Sequence, residues 1–281
     1  MNINWYPGHM KKTTESIKEN LKMVDVIFEL IDARIPSASS NPVIPELIGE
    51  KPRIVVLNKA DLANEEENKK WIEHFKNEGA NVVSINANTG KGIRELITLT
   101  NKVMKPKRDR DAERGIKSKM TRVMIIGIPN VGKSTLINSL VGRKSAKIGN
   151  RPGITKSNQW VRVQDSFQLL DTPGVLWPKF QNENLALNLA YTGAIKDEIL
   201  DKETLCLKFI EKMMLESPEV LVDRYNIEIG STPLETMEAI ALKRGAILRG
   251  NEIDYTKVSD IVLDEFRRGT LGRITLDKIE N

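Results

Sequence analysis

At 281 residues, with 40% hydrophobic and 29% charged side chains, the chain is long enough for one large domain plus a smaller one. No apolar run approaches the ~18 residues of a membrane span, and the opening Met1-Asn2-Ile3-Asn4-Trp5-Tyr6 has neither a secretory nor a transit pattern. The single cysteine, Cys206, excludes a disulfide framework and a zinc site built from several thiolates, and implies a reducing compartment, a bacterial cytoplasm; a net charge of +5 fits a polyanionic partner without requiring one.

In chain order, Met10, Ile17 and Leu21 fall at helical spacing among Lys and Glu residues and predict an amphipathic first helix. The apolar run from Asp25 to Ile31 predicts a buried strand leading to Asp32-Ala33-Arg34; Ile54 to Leu57 and Asn81 to Ile85 predict two more, with a helix from Glu65 to Asn77 between them. Ile93 to Met104 reads as a helix. Lys105 to Arg122 then holds eight Lys or Arg against three acidic residues and no apolar periodicity, so an exposed basic linker is expected over about 105–121, either a solvated connector or an RNA contact. Val123 to Ile126 predicts a strand, Lys133 to Leu140 a helix, and Trp160–Val163 with Phe167–Leu170 a hairpin ending at Asp171. From about Asn182 the chain reads as helical: Thr232-Pro233-Leu234-Glu235 is a capped helix start, and Tyr255, Val258, Ile261, Val262 and Phe266 form the stripe of a last helix stopped by Gly269. Strands alternating with helices predict an α/β domain with a doubly wound, mostly parallel sheet over residues 1–180, followed by a small helical domain over 181–281.

Four short motifs lie at strand ends. Gly127-Ile128-Pro129-Asn130-Val131-Gly132-Lys133-Ser134, between a strand and a helix, has the glycines that let backbone N–H groups turn inward on phosphate oxygens. Lys133 would supply charge to the terminal phosphates, the Ser134 hydroxyl would hold magnesium, and Val131, Gly132 and Thr135 complete the phosphate-binding set. Asp171-Thr172-Pro173-Gly174 follows a strand, with Asp171 near the metal and Gly174 presenting an N–H to the γ-phosphate; Thr155, between these motifs, is the candidate switch residue on the metal. Asn58-Lys59-Ala60-Asp61 selects the base: the Asp61 carboxylate accepts from the ring N–H and exocyclic amine of guanine, an arrangement adenine cannot match. Asn58 and Lys59 would brace base and phosphate loop, and Asn86 and Ala87 in Ser84-Ile85-Asn86-Ala87 fit a backbone contact to the guanine carbonyl. The base reader precedes the phosphate loop, the reverse of an ordinary guanine-nucleotide domain, so the domain reads as a circular permutant; compact domains tolerate this because their natural ends lie close together. Val175, where Ras-like enzymes place a water-orienting Gln, cannot do that task, so slow unaided hydrolysis is expected.

With these motifs, and with Trp5-Tyr6-Pro7-Gly8-His9-Met10, Asp32-Ala33-Arg34-Ile35-Pro36, Trp177-Pro178-Lys179, Gly193-Ala194-Ile195-Lys196 and Gly272-Arg273-Ile274-Thr275, the chain resembles the circularly permuted GTPases over essentially its whole length, most closely the ribosome biogenesis GTPase A family. The resemblance implies a cytoplasmic GTPase, expected as a monomer, that binds GTP and GDP with Mg2+ and acts on the large ribosomal subunit and its rRNA. It points to His9 as the water-positioning group, against the alternative that His9 packs or caps the first helix. It also points to K+ at Asn130, against a purely structural Asn in a tight loop. Arg267, Arg268 and Arg273 are candidate RNA contacts, or charges that stabilise a helix C-terminus. Ser40 departs from the family, which has Arg before Asn-Pro, and puts one local contact in doubt. Two other readings are an RNA-docking module gated by GTP, and a small-subunit assembly factor, whose cysteine-based zinc module a single cysteine rules out.

Overall fold

The computed structural model describes residues 15, 17–116, 120–142, 159–163, 167–171, 183–195 and 201–279. Contacts divide the chain into two units, one spanning Asn182–Ile274 and the other Asn4–Gln181 together with Thr275–Asn281.

The larger unit is built on a six-stranded sheet with the order β3-β2-β1-β4-β6-β5. Its strands are β1 (Val26–Asp32), β2 (Arg53–Asn58), β3 (Asn81–Ser84), β4 (Thr121–Gly127), β5 (Gln159–Val163) and β6 (Phe167–Asp171), all parallel except β5, which runs antiparallel to β6. Continuous apolar runs such as Val26–Phe28 and Val123–Ile126 suit strands covered on both faces. Helices α1 (Pro36–Ser39) and α2 (Ile44–Ile48) join β1 to β2; α3 (Glu65–Asn77), α4 (Ile93–Glu113) and α5 (Lys133–Val141) follow β2, β3 and β4. The chain winds outward from β1 towards β3, then restarts at β4 on the other side of β1. Loops leaving the carboxyl ends of β1 and β4 therefore diverge, which opens the crevice where open α/β sheets bind ligands.

The expected basic linker is mostly helix, because α4 runs past Met104 to Glu113. Pro106 removes one helical hydrogen bond, but Leu96, Thr100 and Met104 anchor the preceding turns in the core. Beyond Pro106, Lys107 pairs with Asp25, and Arg108 Nη2 donates to Asn101 Oδ1 (2.9 Å) and Thr121 Oγ1 (3.2 Å). Polar contacts extend a helix whose apolar periodicity has ended.

One carboxyl lies within the sheet. Glu29, only 2% exposed on β1, accepts from Asn41 N (3.0 Å) and approaches Arg53 Nη1 at 3.3 Å, and Ser40 Oγ reaches it at 3.4 Å. Oε2 has no hydrogen bond, and burial raises the group's pKa against the opposing pull of Arg53.

The smaller unit is helical: α6 (Glu183–Tyr191), α7 (Lys202–Glu216), α8 (Pro218–Tyr225), α9 (Pro233–Arg244) and α10 (Tyr255–Arg268). Its core packs Tyr191 edge-on against Phe209 (centroids 5.1 Å apart) and Phe209 at a tilt against Phe266 (4.9 Å). Glu265 on α10 accepts two bonds from Arg224 of α8 (both 2.8 Å) and one from Arg244 of α9. Thr232 caps α9 by accepting from Glu235 N (3.2 Å), while the Glu235 carboxylate takes the N–H of Ser231 (2.7 Å), one residue before the cap. Cys206 is buried and its thiol is pushed up to about 12, so it is an inert packing group. Among the described residues, no helix is long and apolar enough to cross a membrane.

The raised Glu29 pKa has a signed consequence. Between the unfolded value of 4.5 and the higher folded one, the native state binds more protons, so this group makes stability fall as pH rises. Urea unfolding at several pH values above 4.5 should show the wild type losing stability relative to Glu29→Gln. Parallel pH profiles for the two proteins would contradict this assignment.

Candidate nucleotide site

The divergent loops put a buried charge cluster beside a sharply turned backbone. β1 ends in Asp32, whose carboxylate accepts from Arg34 Nε at Oδ1 (2.9 Å), Arg34 Nη2 at Oδ2 (2.8 Å) and Lys59 Nζ at Oδ2 (2.9 Å). The Asp32 and Arg34 side chains are 2% and 1% exposed. Burial alone would raise the Asp32 carboxyl; Arg34 and Lys59 outweigh it and hold the group well below the usual carboxylate range. Burial lowers the Lys59 ammonium, and Asp32 opposes that shift. In the sequence, Asp32 and Arg34 stand only as part of the family resemblance. The signal in the sequence is an acidic and a basic side chain, Asp32 and Arg34, where a buried and mostly apolar strand ends.

Lys59 also donates to the carbonyl of Asn130 (2.9 Å), in the turn between β4 and α5. Lys59 (φ 60°) and Asn130 (φ 58°) are both left-handed. Asn tolerates that region better than most residues, so the conformation alone accounts for an Asn in this turn. Gly132 (φ 103°) is the N-cap of α5, and a Cβ there would lie 2.4 Å from Asn58 Nδ2, so side chain and loop can approach this closely only at glycine. That Asn58 carboxamide, 3% exposed, donates to Val131 O (2.8 Å) and accepts from Ala87 N (3.0 Å). One side chain thus joins the loops that follow β2, β3 and β4.

The nine-residue α5 starts with no side-chain cap and no acidic residue in its first turn. Its first N–H groups and positive dipole end suit an anion. Lys133, 9% exposed, donates to the carbonyls of Gly127 (3.0 Å) and Ile128 (2.9 Å), which keeps its ammonium over the loop. Ser134 is exposed and Thr135 half-buried in the same turn. Ala60 N donates to Ile85 O (3.2 Å), tying the loop after β2 to the loop after β3, and Asp61 is exposed. Asn86 Oδ1 accepts from the N–H groups of Asn88 (2.9 Å) and Thr89 (3.1 Å), turning the loop back on itself.

Asp171 closes β6, the neighbour of β4. His9, Thr155, Gly174 and Val175, with the expected start of the first helix, lie outside the described residues. Among the candidate RNA contacts, Arg267 donates through Nε to Tyr191 O (3.0 Å) and through Nη2 to Ala190 O (3.1 Å), covering the C-terminal carbonyls of α6. Arg268 is exposed and pairs with Asp264 (2.9 Å), one turn earlier; Arg273 is exposed.

The sequence pattern of the 50S ribosome-binding GTPase family matches residues 122–223. Ribosome biogenesis GTPase A of Bacillus cereus is 46% identical over 281 residues, covering 100% of this chain and 95% of that protein. The protein of the same name from Thermotoga maritima is 33% identical over 279 residues, covering 99% of this chain and 95% of that one. A GNP-bound crystal structure of YlqF from T. maritima superposes with a TM-score of 0.66 at 28% identity, covering 95% of this chain and 98% of that one.

The charge cluster can be tested directly. Asp32→Asn leaves Arg34 buried without its carboxylate, and losing one partner of such a pair costs about 3–5 kcal/mol. All four tryptophans, Trp5, Trp71, Trp160 and Trp177, precede residue 182, so urea unfolding followed by tryptophan fluorescence reports the larger unit. A midpoint unchanged from wild type would show that the cluster contributes nothing to stability.

Proposed function

Since the chain belongs to the ribosome biogenesis GTPase A family, we propose that it hydrolyses GTP to GDP and phosphate in a late step of large (50S) ribosomal subunit assembly, binding rRNA in a nucleotide-dependent way. The observation that carries the nucleotide reading is the Asn58 carboxamide, which joins the loops at the carboxyl ends of β2, β3 and β4. A guanine reader and a phosphate cradle need that fixed separation.

The donor set fits GTP and magnesium. The uncapped start of α5 and the Lys133 ammonium face an anion, and the exposed Ser134 hydroxyl offers the hard oxygen that Mg2+ takes. In this reading Asp61 selects guanine, Asn58, Lys59 and Ala60 shape its loop, and Asn86 and Ala87 meet the base edge. Val131, Gly132, Lys133, Ser134, Thr135 and Gly174 hold phosphates, with Ser134, Thr155 and Asp171 around the metal. Bound magnesium supplies positive charge to the β- and γ-phosphates. Asn130 turns the phosphate loop and could add K+ through its amide. Val175 cannot orient a water, and His9 supplies that group when the subunit surface positions it. The chain continues from Gly174 through Trp177-Pro178-Lys179 into the helical unit, so the γ-phosphate biases affinity for the subunit, and by linkage the subunit tightens GTP equally.

Asp61→Asn should weaken GTP binding and favour xanthosine nucleotides, whose ring edge suits an amide; equal binding of ATP and GTP by the wild type sinks the base-reading argument. A second expectation is that isolated large subunits stimulate a slow turnover, more in potassium than in sodium. His9→Ala should lose that stimulation with subunit binding intact, and Asn130→Gly, which keeps the left-handed turn without the amide, should lose the potassium preference. Full stimulation in His9→Ala makes His9 structural, and equal wild-type rates in the two salts remove the cation.

A further inference from the structure

The chain returns from the helical unit to the sheet: Thr275–Asn281 belongs to the larger unit. The sequence pattern places these residues in the helical domain, and the side chains explain the difference. The Thr275 hydroxyl accepts from Asn64 N (3.1 Å), Leu276 N donates to Arg34 O (2.7 Å), and Asp277 Oδ2 accepts from Ala38 N (2.8 Å). The Asp277 carbonyl accepts from the Trp71 indole (2.8 Å), and Ile279 packs on the cluster of Ile31, Leu57, Trp71 and Phe75.

These contacts fall on the two loops that build the guanine reader. Ala38 lies in the first turn of α1, whose N-cap, Ile35, offers no side-chain acceptor. Asp277 provides it from 239 residues away. Asn64, the N-cap of α3, uses its own side chain on Glu66 N and Glu67 N, so its backbone N–H depends on Thr275. Arg34, gripped at its carbonyl by Leu276, carries the guanidinium that holds Asp32, and Asp32 holds Lys59. The loop Lys59–Ala63 is therefore fixed at its start through Arg34 and Asp32, and beyond its end at Asn64.

We propose that the return segment 275–279 positions the guanine reader, with Thr275 and Asp277 as positioning residues that act through the loops after β1 and β2. The proposal rests on the guanine-site reading above. Through Ile274 it gives the helical unit a second covalent path to the nucleotide, at the base end.

Equilibrium binding of GDP and ADP separates this role from simple stabilisation, because ADP can use the phosphate cradle but not Asp61. Asp277→Ala should weaken GDP about fivefold, within the usual range for coupled sites, while ADP affinity stays constant. Asp277→Asn should restore GDP binding, since its carbonyl oxygen still accepts from Ala38 N. Thr275→Val, which removes the acceptor at almost constant volume, should act like Asp277→Ala and decides the matter if that variant does not fold. Equal losses of GDP and ADP affinity, or unchanged GDP affinity alongside a lower melting temperature, overturn the proposal. A wild type that does not prefer GDP to ADP defeats the guanine-site reading instead.

Discussion

The Asp32 carboxylate is the fixed point from which the nucleotide site is laid out. A buried charge is tolerated only when paired and hydrogen-bonded, and this one is met by Arg34 from its own loop and Lys59 from the next. Two cations on one carboxylate leave the cluster net positive, beside a loop suited to phosphate. Lys59 then spans from Asp32 to the Asn130 carbonyl, so the loops after β2 and β4 cannot drift independently. Buried ion pairs often add little net stability over an apolar replacement, and a role in register is their best-attested use. Here the register is that of three loops.

Strand order makes this junction possible. β1 and β4 are neighbours in register, Leu30 beside Gly127, and their connections leave in opposite directions. At Gly127 a Cβ would lie 2.6 Å from the Leu30 carbonyl, so glycine lets the phosphate turn begin against the adjacent strand. Circular permutation leaves this geometry unchanged, because a sheet depends on which strands are paired and not on the order in which the chain visits them. Permutation changes only the segment joined to the end of each loop, and the phosphate half of the domain now leads into the helical unit.

The sheet and the phosphate and base motifs were legible because their signals are local: apolar runs of strand length, glycines at fixed spacing, and Asn-Lys-x-Asp directly after a strand. What escaped depends on partners remote in sequence. The second half of α4 has no apolar stripe and is held by Asp25 and Thr121, which no window around Lys107 contains. α1 and α2 are short helices with Pro in their first turns, and α1 obtains its cap from Asp277. For Arg267 the sequence leaves an RNA contact and a helix C-terminus open, because the α6 carbonyls it covers lie far back in the chain. The membership of Thr275–Asn281 was hidden for the same reason: Gly269 marks the end of α10, but nothing local says where the chain goes next.

The return segment also sets a time order for making the protein. Synthesis delivers domains amino-terminal first, at about 5–20 residues per second. Strands β1 to β3 and the base reader therefore emerge long before the residues that cap α1 and satisfy Asn64. Contacts across so long a separation form late, since closing a larger loop costs more entropy and slows folding. The described helices of the smaller unit all come from one continuous stretch, Asn182–Ile274, so they have no such delay and can pack before the return segment appears. Until the last residues dock, the nascent larger unit carries an uncapped α1 and an apolar surface at Trp71 and Phe75. The loop Lys59–Ala63 thus gains its last tie only when the chain is made up to Ile279.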